Sequence, residues 1–376
     1  MRATAEDIID YVENEDIKFI RLAFCDVFGK QKNISIMPGE LRRAFEHGIA
    51  FDASAIKGFG GNVFSDLFLH PDPDTLSVLP WRPEHGRVVK MYCTISTPDG
   101  KPFINDTRAL LINAEKKAEA ENIGLLFGSR AEFYLFDIEA DGSRTTRPFD
   151  KAGCMDVAPL DKGENVRRQV CLNLEEMGIS AESSCHLGGA GQNAIKLGRS
   201  GITKAADDLM SFFNAVKAAA GAEGRCADFS PKPLADMPGS GLSIEISPDN
   251  ELSGGMLGSA AAGIAEHLYE ITLFLDPKRS SYERLRKDTL RQAVCLTETG
   301  GRRSIELCTP DCTANPYLLI ALLTHAALDG IKRGLTFGGS GDIPASYEEA
   351  VNAASGSGFV SRHIPNGIAQ AYFAER

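Results

Sequence analysis

The sequence predicts an α+β fold, and three observations carry the prediction. Strand-like alternating segments gather near the N-terminus, and amphipathic helices dominate the rest of the chain. The single strands between those helices do not keep the β-α-β cadence of a doubly wound sheet. The chain has 376 residues, 43% hydrophobic and 24% charged, so it can bury a sizeable core and its composition does not read as disordered. A formal net charge of −11 argues against a general nucleic-acid binder, because phosphate backbones call for a basic surface.

The opening "MRATAEDIIDYVENED" is acidic and amphipathic, with no basic segment ahead of an apolar one, and does not read as an export signal. Residues 17–36 read as a hairpin: "IKFIRLAF" alternates, "CDVFGK" supplies the turn and "QKNISI" returns. "ELRRAFEHG" is a short helix closed by Gly48. The strand "RVVKMYCTI" completes a strand-rich module, which sets the expected domains at 1–100 and 101–376. Trp81, in "LPWRPEHG", is expected to pack at their junction.

Beyond residue 100 the periodicity turns helical. "DTRALLINAEKKAEAENIG" has a capping residue and a glycine stop, and "ENVRRQVCLNLEEMG" puts Val166, Val170, Leu174 and Met177 on one stripe. "NPYLLIALLTHAALDGIKRG" starts with Asn315 as cap and Pro316 at the first helical position. "AAAGIAEHLYEITLFL" is broken by Glu266, His267 and Glu270 and is no membrane span. Nine cysteines without CxxC spacing fit reduced thiols in a cytoplasmic protein, and the nearest set, Cys308 and Cys312, offers little support for a structural zinc site.

Between the helices lie "AEFYLFDI", "GLSIEIS" and "RSIELC", and each carries a carboxylate: Glu132, Glu245 and Glu306. One such glutamate alone reads most simply as the solvent face of an amphipathic strand. Three together point to a shared cation, since a carboxylate inside an apolar strand needs a partner. Alternation puts Arg130, Glu132 and Tyr134 on one face, and Ser243, Glu245 and Ser247 on another. "SSCHLGGAGQNAIKL" (183–197) reads as a glycine-rich loop with His186 upstream of Gln192 and Asn193. Together with "PGSGLS" it offers backbone N–H groups to a phosphate or is a plain turn. No flanking motif supports a Ser/His/Asp or Cys/His nucleophile, and the other histidines lack ligand spacing.

The ordered wording of these segments resembles the glutamine synthetase family over almost the whole chain. "DVFGK" is similar to its hairpin turn, "FDASAIKGF" to its FDGSSIxGW loop and "SDLFLHPDPDTL" to its SDMxLxPDxxT segment. "AEFYLFD", "AGQN", "FSPKPLADMPGSG" and "SYERL" resemble its EPEFFLFD, AGQNE, FMPKPxxxxxGSG and NSYKRL passages. "RRSIELCTPDCTANPYLLIALLTHAALDGI" resembles RRIEVRxPDxxANPYLxxAAxLxAGLDGI.

The resemblance implies a small N-terminal β-grasp domain and a larger domain with a curved antiparallel sheet flanked by helices, assembled as ring-shaped homo-oligomers. It implies sites between subunits that take ATP, glutamate and ammonia, with Mg²⁺ or Mn²⁺ neutralising the triphosphate through oxygen ligands. Carried over by position, it puts metal ligands at Glu132, Glu245, Glu306 and His186. Nucleotide contacts fall at Glu182, Ser247 and Lys232, a glutamate-binding arginine at Arg284 and an ammonium-site aspartate at Asp52.

The match fails at particular residues. The Glu-Pro-Glu strand becomes Arg130 and Glu132, and the glutamate after AGQN becomes Ala194. The His-x-His strand becomes Ser243 and Glu245. The serine and tyrosine of the ammonium site fall on Ala55 and Cys154, and the last RIEVR arginine on Cys308. The flap and phosphate-arginine segment shortens to "RKDTLRQAVCLTETGGRRS", with only Arg291, Arg302 and Arg303 as substitutes. A guanidinium stays protonated and repels a cation, so Arg130 is expected to take the seat of one metal and to pair with Glu132, Glu245 or Glu306. Three readings arise: a family member that folds and oligomerises with weak or no glutamine synthesis and binds a glutamate-like metabolite or a paralogous enzyme, an ATP-dependent carboxylate–amine ligase of altered substrate, and a true glutamine synthetase. None of them involves nucleic acid or a membrane.

Overall fold

A computed structural model describes residues 3–59, 66–82, 85–249, 255–285, 293–299, 301–339 and 341–374. The N-terminal quarter forms a sheet from β1 (Ile17–Cys25), β2 (Gln31–Ile36), β3 (Ile49–Asp52), β4 (Asp66–Pro71), β5 (Ser77–Val78) and β6 (Arg87–Ser96). Its order is β2-β1-β6-β4-β3, with β5 also on β6. Only β1 and β6 run parallel. Helices α1 (Ala5–Asn14) and α2 (Leu41–His47) accompany it, and α2 ends at Gly48 with φ 75°.

The β1–β2 turn fixes how the two halves meet. Asp26 Oδ1 accepts the backbone N–H groups of Phe28 (3.1 Å) and Lys30 (2.9 Å). Gly29 sits at φ 77°, where a Cβ would come within 2.8 Å of Asn315 Cα, so a bare backbone is required twice over. Asn315 in turn caps α8 (Pro316–Arg333) by accepting from Tyr317 N, and its amide donates to Val27 O. The cap expected from sequence therefore also pins the hairpin.

The larger sheet is antiparallel and comprises β7 (Leu125–Ile138), β8 (Arg144–Pro148), β9 (Ala181–His186), β10 (Gln192–Gly201), β11 (Arg225–Asp228), β12 (Leu242–Pro248), β13 (Val294–Thr299) and β14 (Arg302–Leu307). Its order is β13-β14-β12-β7-β10-β9, with β8 and β11 also on β7. One face is apolar: Phe127, Ala131, Phe133, Ile195, Leu197, Leu242, Ile244, Ile246, Ile305 and Leu307 are buried. Helices α3 (Thr107–Ala120), α5 (Ile202–Ala222), α6 (Leu257–Leu275) and α8 join this core, as does α4 (Glu164–Glu176) through Val166, Val170 and Leu174. A short α7 (Arg279–Arg284) follows α6, and α9 (Tyr347–Ser355), α10 (Gly358–His363) and α11 (Asn366–Ala374) close the chain.

The α+β reading holds. One local reading is corrected: the stretch 183–197 is a β-hairpin, not a loop, because β9 and β10 pair through it and only residues 187–191 turn. Gly191 lets that turn close, at φ 69° and with so little room that a Cβ would come within 2.7 Å of Leu135 O. Among the described residues no helix is long and apolar enough to cross a membrane, and all nine cysteines are free.

Candidate active site

The face of the large sheet opposite the core carries the charge, and its register can be followed row by row. Arg130 lies across from Ser243 on β12 and Lys196 on β10. Glu132 lies across from Ala194, and Ala194 from Cys185. Glu245 stands between Gly128 and Glu306. The strand glutamates expected from alternation thus share one surface with Arg130.

Glu132, Glu182 and Glu245 each meet a cation or an amide, whereas Glu306 meets the Cys308 thiol. Arg130 Nη1 donates to Glu132 Oε1 at 2.9 Å, and Gly241 N donates to Glu132 Oε2 at 3.0 Å. Lys196 Nζ bridges Glu245 Oε2 (2.9 Å) and Glu182 Oε2 (3.0 Å). Arg199 Nη1 lies 3.4 Å from Glu245 Oε1. Burial pulls the Lys196 ammonium toward neutrality, but Glu245 and Glu182 outweigh it and hold its pKa above the ordinary value. Glu306 lies beside Cys308, whose thiol is pushed up to about 11 by burial first and that carboxylate second. Burial, with Glu132 nearby, also raises the Tyr134 phenol, whose O–H donates to Pro238 O at 2.7 Å.

Lys196 and Arg199 are absent from the sequence-based site. Lys196 was within reach, two residues from Ala194 on the same pleat. Arg199 was not, because a register irregularity between Leu197 and Ser200 breaks the alternation. Gly128 makes room for it: a Cβ there would sit 3.0 Å from Arg199 Cγ.

His186 does not belong to this surface. It pairs with Asn193, which pairs with Phe133, so its side chain emerges on the face opposite Glu132. There its Nε2 lies 3.0 Å from Asp150 Oδ1, and its Nδ1 lies 2.9 Å from Gly153 O and 2.8 Å from Leu187 O. Two carbonyls at Nδ1 require the proton on that nitrogen. Asp161 completes a trio compact enough for an ion, but it is clamped by Arg167 through Nη1 (3.1 Å) and Nη2 (2.5 Å), and Arg167 also reaches Asn193 Oδ1. The expectation of His186 as a ligand beside Glu132 is therefore corrected by strand parity.

The remaining expected residues are scattered. Arg284, at the end of α7, is turned inward: Nη2 donates to Asp276 Oδ1 (3.0 Å) and to Thr309 O. Asp276 is fully buried, and burial, reinforced by Asp311 and opposed by Arg284, holds its carboxyl well above the usual range. Arg284 Nη1 lies over Gly241, where a Cβ would be 3.1 Å away. Asp52 is exposed at the edge of the first sheet, with Oδ1 accepting Ser54 N–H at 2.8 Å. Lys232 Nζ donates to Met237 O at 2.5 Å, and Ser247 is buried. The Ser247 hydroxyl has no hydrogen-bond partner among the described residues. Arg302 and Arg303 are exposed at the start of β14, while Arg291 lies outside the described residues.

The donor set can be tested against the divalent ions that the resemblance implies. Hard ions need several oxygen lone pairs at about 2.0–2.6 Å. Both oxygens of Glu132 and both of Glu245 already face protein N–H groups. An ion between them would meet two guanidinium groups and one ammonium. So paired, Glu132 and Glu245 do not fit a divalent metal, and of the three glutamates expected from sequence Glu306 alone has no cationic partner among the described residues.

Comparison with known proteins places the chain. A family model described as the glutamine synthetase β-grasp domain matches residues 16–98, and one described as the glutamine synthetase catalytic domain matches residues 104–374. A glutamine synthetase of Clostridium saccharobutylicum is 36% identical over 360 residues, covering 88% of this chain and 81% of that protein. One of Methanosarcina mazei is 33% identical, covering 99% and 93% respectively. The solved structure of apo GmaS without ligand superposes with a TM-score of 0.86 at 23% identity, over 98% of this chain and 94% of that one, and supports the same fold. The chain belongs to the glutamine synthetase family.

Proposed function

We propose that this family member has weak or no glutamine synthetase activity, because side-chain cations stand where the reaction needs divalent ions. The family reaction joins glutamate and ammonia with the conversion of ATP to ADP and phosphate. Its transferred phosphoryl group passes between densely charged partners, and metal neutralisation of that charge is the largest aid the protein can give. The observation that carries the reading is the pairing of Arg130 with Glu132 and of Lys196 and Arg199 with Glu245. Guanidinium groups supply fixed positive charge but cannot coordinate or polarise an oxygen as a Lewis acid.

The inward Arg284 supports the same reading on the substrate side, since its partner Asp276 is a buried carboxyl. Asp52 lies on the other sheet, and by resemblance to the family it would join such a site from a second copy, in a ring-shaped homo-oligomer in the cytoplasm.

The test is phosphate release from ATP with glutamate, ammonia and either Mg²⁺ or Mn²⁺, beside an active family member. The expected rate is at least about 10³-fold lower. Glutamate- and ammonia-dependent release at a comparable rate overturns the proposal. Release that depends on another amine supports the altered-substrate ligase instead.

A further inference from the structure

A second cavity, of about 610 Å³, opens between the β1–β2 turn and the α5–β11 edge of the large sheet, away from the charged rows of the cleft. Its size falls within the range of small-molecule sites. Two aromatic pairs wall it. Phe28 and Tyr372 have ring centroids 5.2 Å apart, and Phe213 and Phe229 4.9 Å apart.

The charge along this cavity runs against that of the chain. Five lysines line it, Lys30, Lys32, Lys57, Lys217 and Lys278, against two aspartates, Asp26 and Asp228, in a protein of net charge −11. Both aspartates are already engaged. Asp26 accepts two backbone N–H groups and lies 3.7 Å from Lys32, while Asp228 pairs with Arg144 at 2.7 Å. Lys30, Lys57 and Lys217 have no ion pair among the described residues. Lys217 is exposed, with its Nζ 5.9 Å from the Phe229 ring centroid, and partial desolvation and repulsion from Lys30 pull its ammonium below the ordinary value. An anion placed among them would relieve that repulsion.

We propose that this cavity binds a small organic phosphate with a planar apolar body. Its phosphate would sit among Lys30, Lys57 and Lys217, and its body between the two aromatic pairs. Lysines favour this headgroup. They act as convergent point charges suited to a phosphate dianion, whereas a carboxylate is matched by the planar fork of arginine. The aromatic walls favour a ring, because stacked or edge-on contacts add to simple burial. Nothing in this inference depends on the state of the metal-type cleft.

The experiment is calorimetric titration of the full chain with three probes: phenyl phosphate, inorganic phosphate and phenol. Phenyl phosphate should bind about tenfold more tightly than either fragment. Lys217→Met and Lys30→Met should each weaken it by about fivefold or more, since each removes one cation from the cavity wall and leaves the core intact. Lys196→Met, which alters only the cleft, should leave it unchanged. Three results overturn the proposal: no phenyl phosphate binding, binding equal to that of inorganic phosphate, or binding lost in Lys196→Met but kept in Lys217→Met.

Discussion

On the cleft face of β7 and β10, Arg130 and Lys196 pair with carboxylates while their side chains keep 37% and 34% of their exposure. On the opposite face of β9 and β10, Arg167 pairs with Asp161 at 6% and 3%. The chemistry is the same and the surroundings are not. A half-exposed pair can trade its partner for water, so it holds its place cheaply and can be rebuilt. A buried pair cannot, and removing one half strands the other in a medium of low dielectric. The two faces of one sheet therefore separate a half-exposed charged cluster from a buried one that holds the β9–β10 hairpin against α4.

The largest expected effect is on the buried side. Arg167→Leu leaves Asp161 without its clamp and Asn193 without a donor, and should cost about 3–5 kcal/mol in urea unfolding. A loss below about 1 kcal/mol would erase the contrast between the faces. Next is a gain of function on the cleft side. Arg130→Glu places a carboxylate beside Glu132 in place of its guanidinium, and Mn²⁺ should then bind with a Kd on the order of 10⁻⁴ M or tighter. No gain, even with Lys196→Ala added, would mean that the pocket is not a displaced metal seat.

A smaller effect is expected from Lys196→Met, which should change stability by less than about 1 kcal/mol because its partners stay hydrated. The smallest concerns Cys308. With its thiol pushed up to about 11, only about 10⁻³ of it is thiolate at pH 8. Alkylation should lag far behind that of the exposed Cys154 and quicken as the pH rises toward 11. Rapid labelling of Cys308 at about pH 8 would show a cleft less enclosed than its carboxylates require.

The strands, the capped helices and the α+β class were legible because each rests on local periodicity: Asn315 with Pro316, Gly48 and the alternation of "RAEFYLF" all act where they stand. The shared face of Arg130, Glu132, Glu245 and Glu306 was legible for the same reason. Three things were not. The parity of His186 depends on pairing through Asn193, and a glycine-rich turn read as a loop gives no parity at all. Arg199 reaches Glu245 through a register irregularity that no alternating pattern announces. The inward turn of Arg284 depends on Asp276 and Thr309, which are distant in sequence or buried, so its orientation could not be read from the motif.

The most direct test of the central claim is a calorimetric titration of the unaltered protein with Mn²⁺ at neutral pH. With guanidinium and ammonium groups holding Glu132 and Glu245, no specific binding tighter than about 1 mM is predicted. Two micromolar sites, competed by neither salt nor the loss of Arg130, would contradict it.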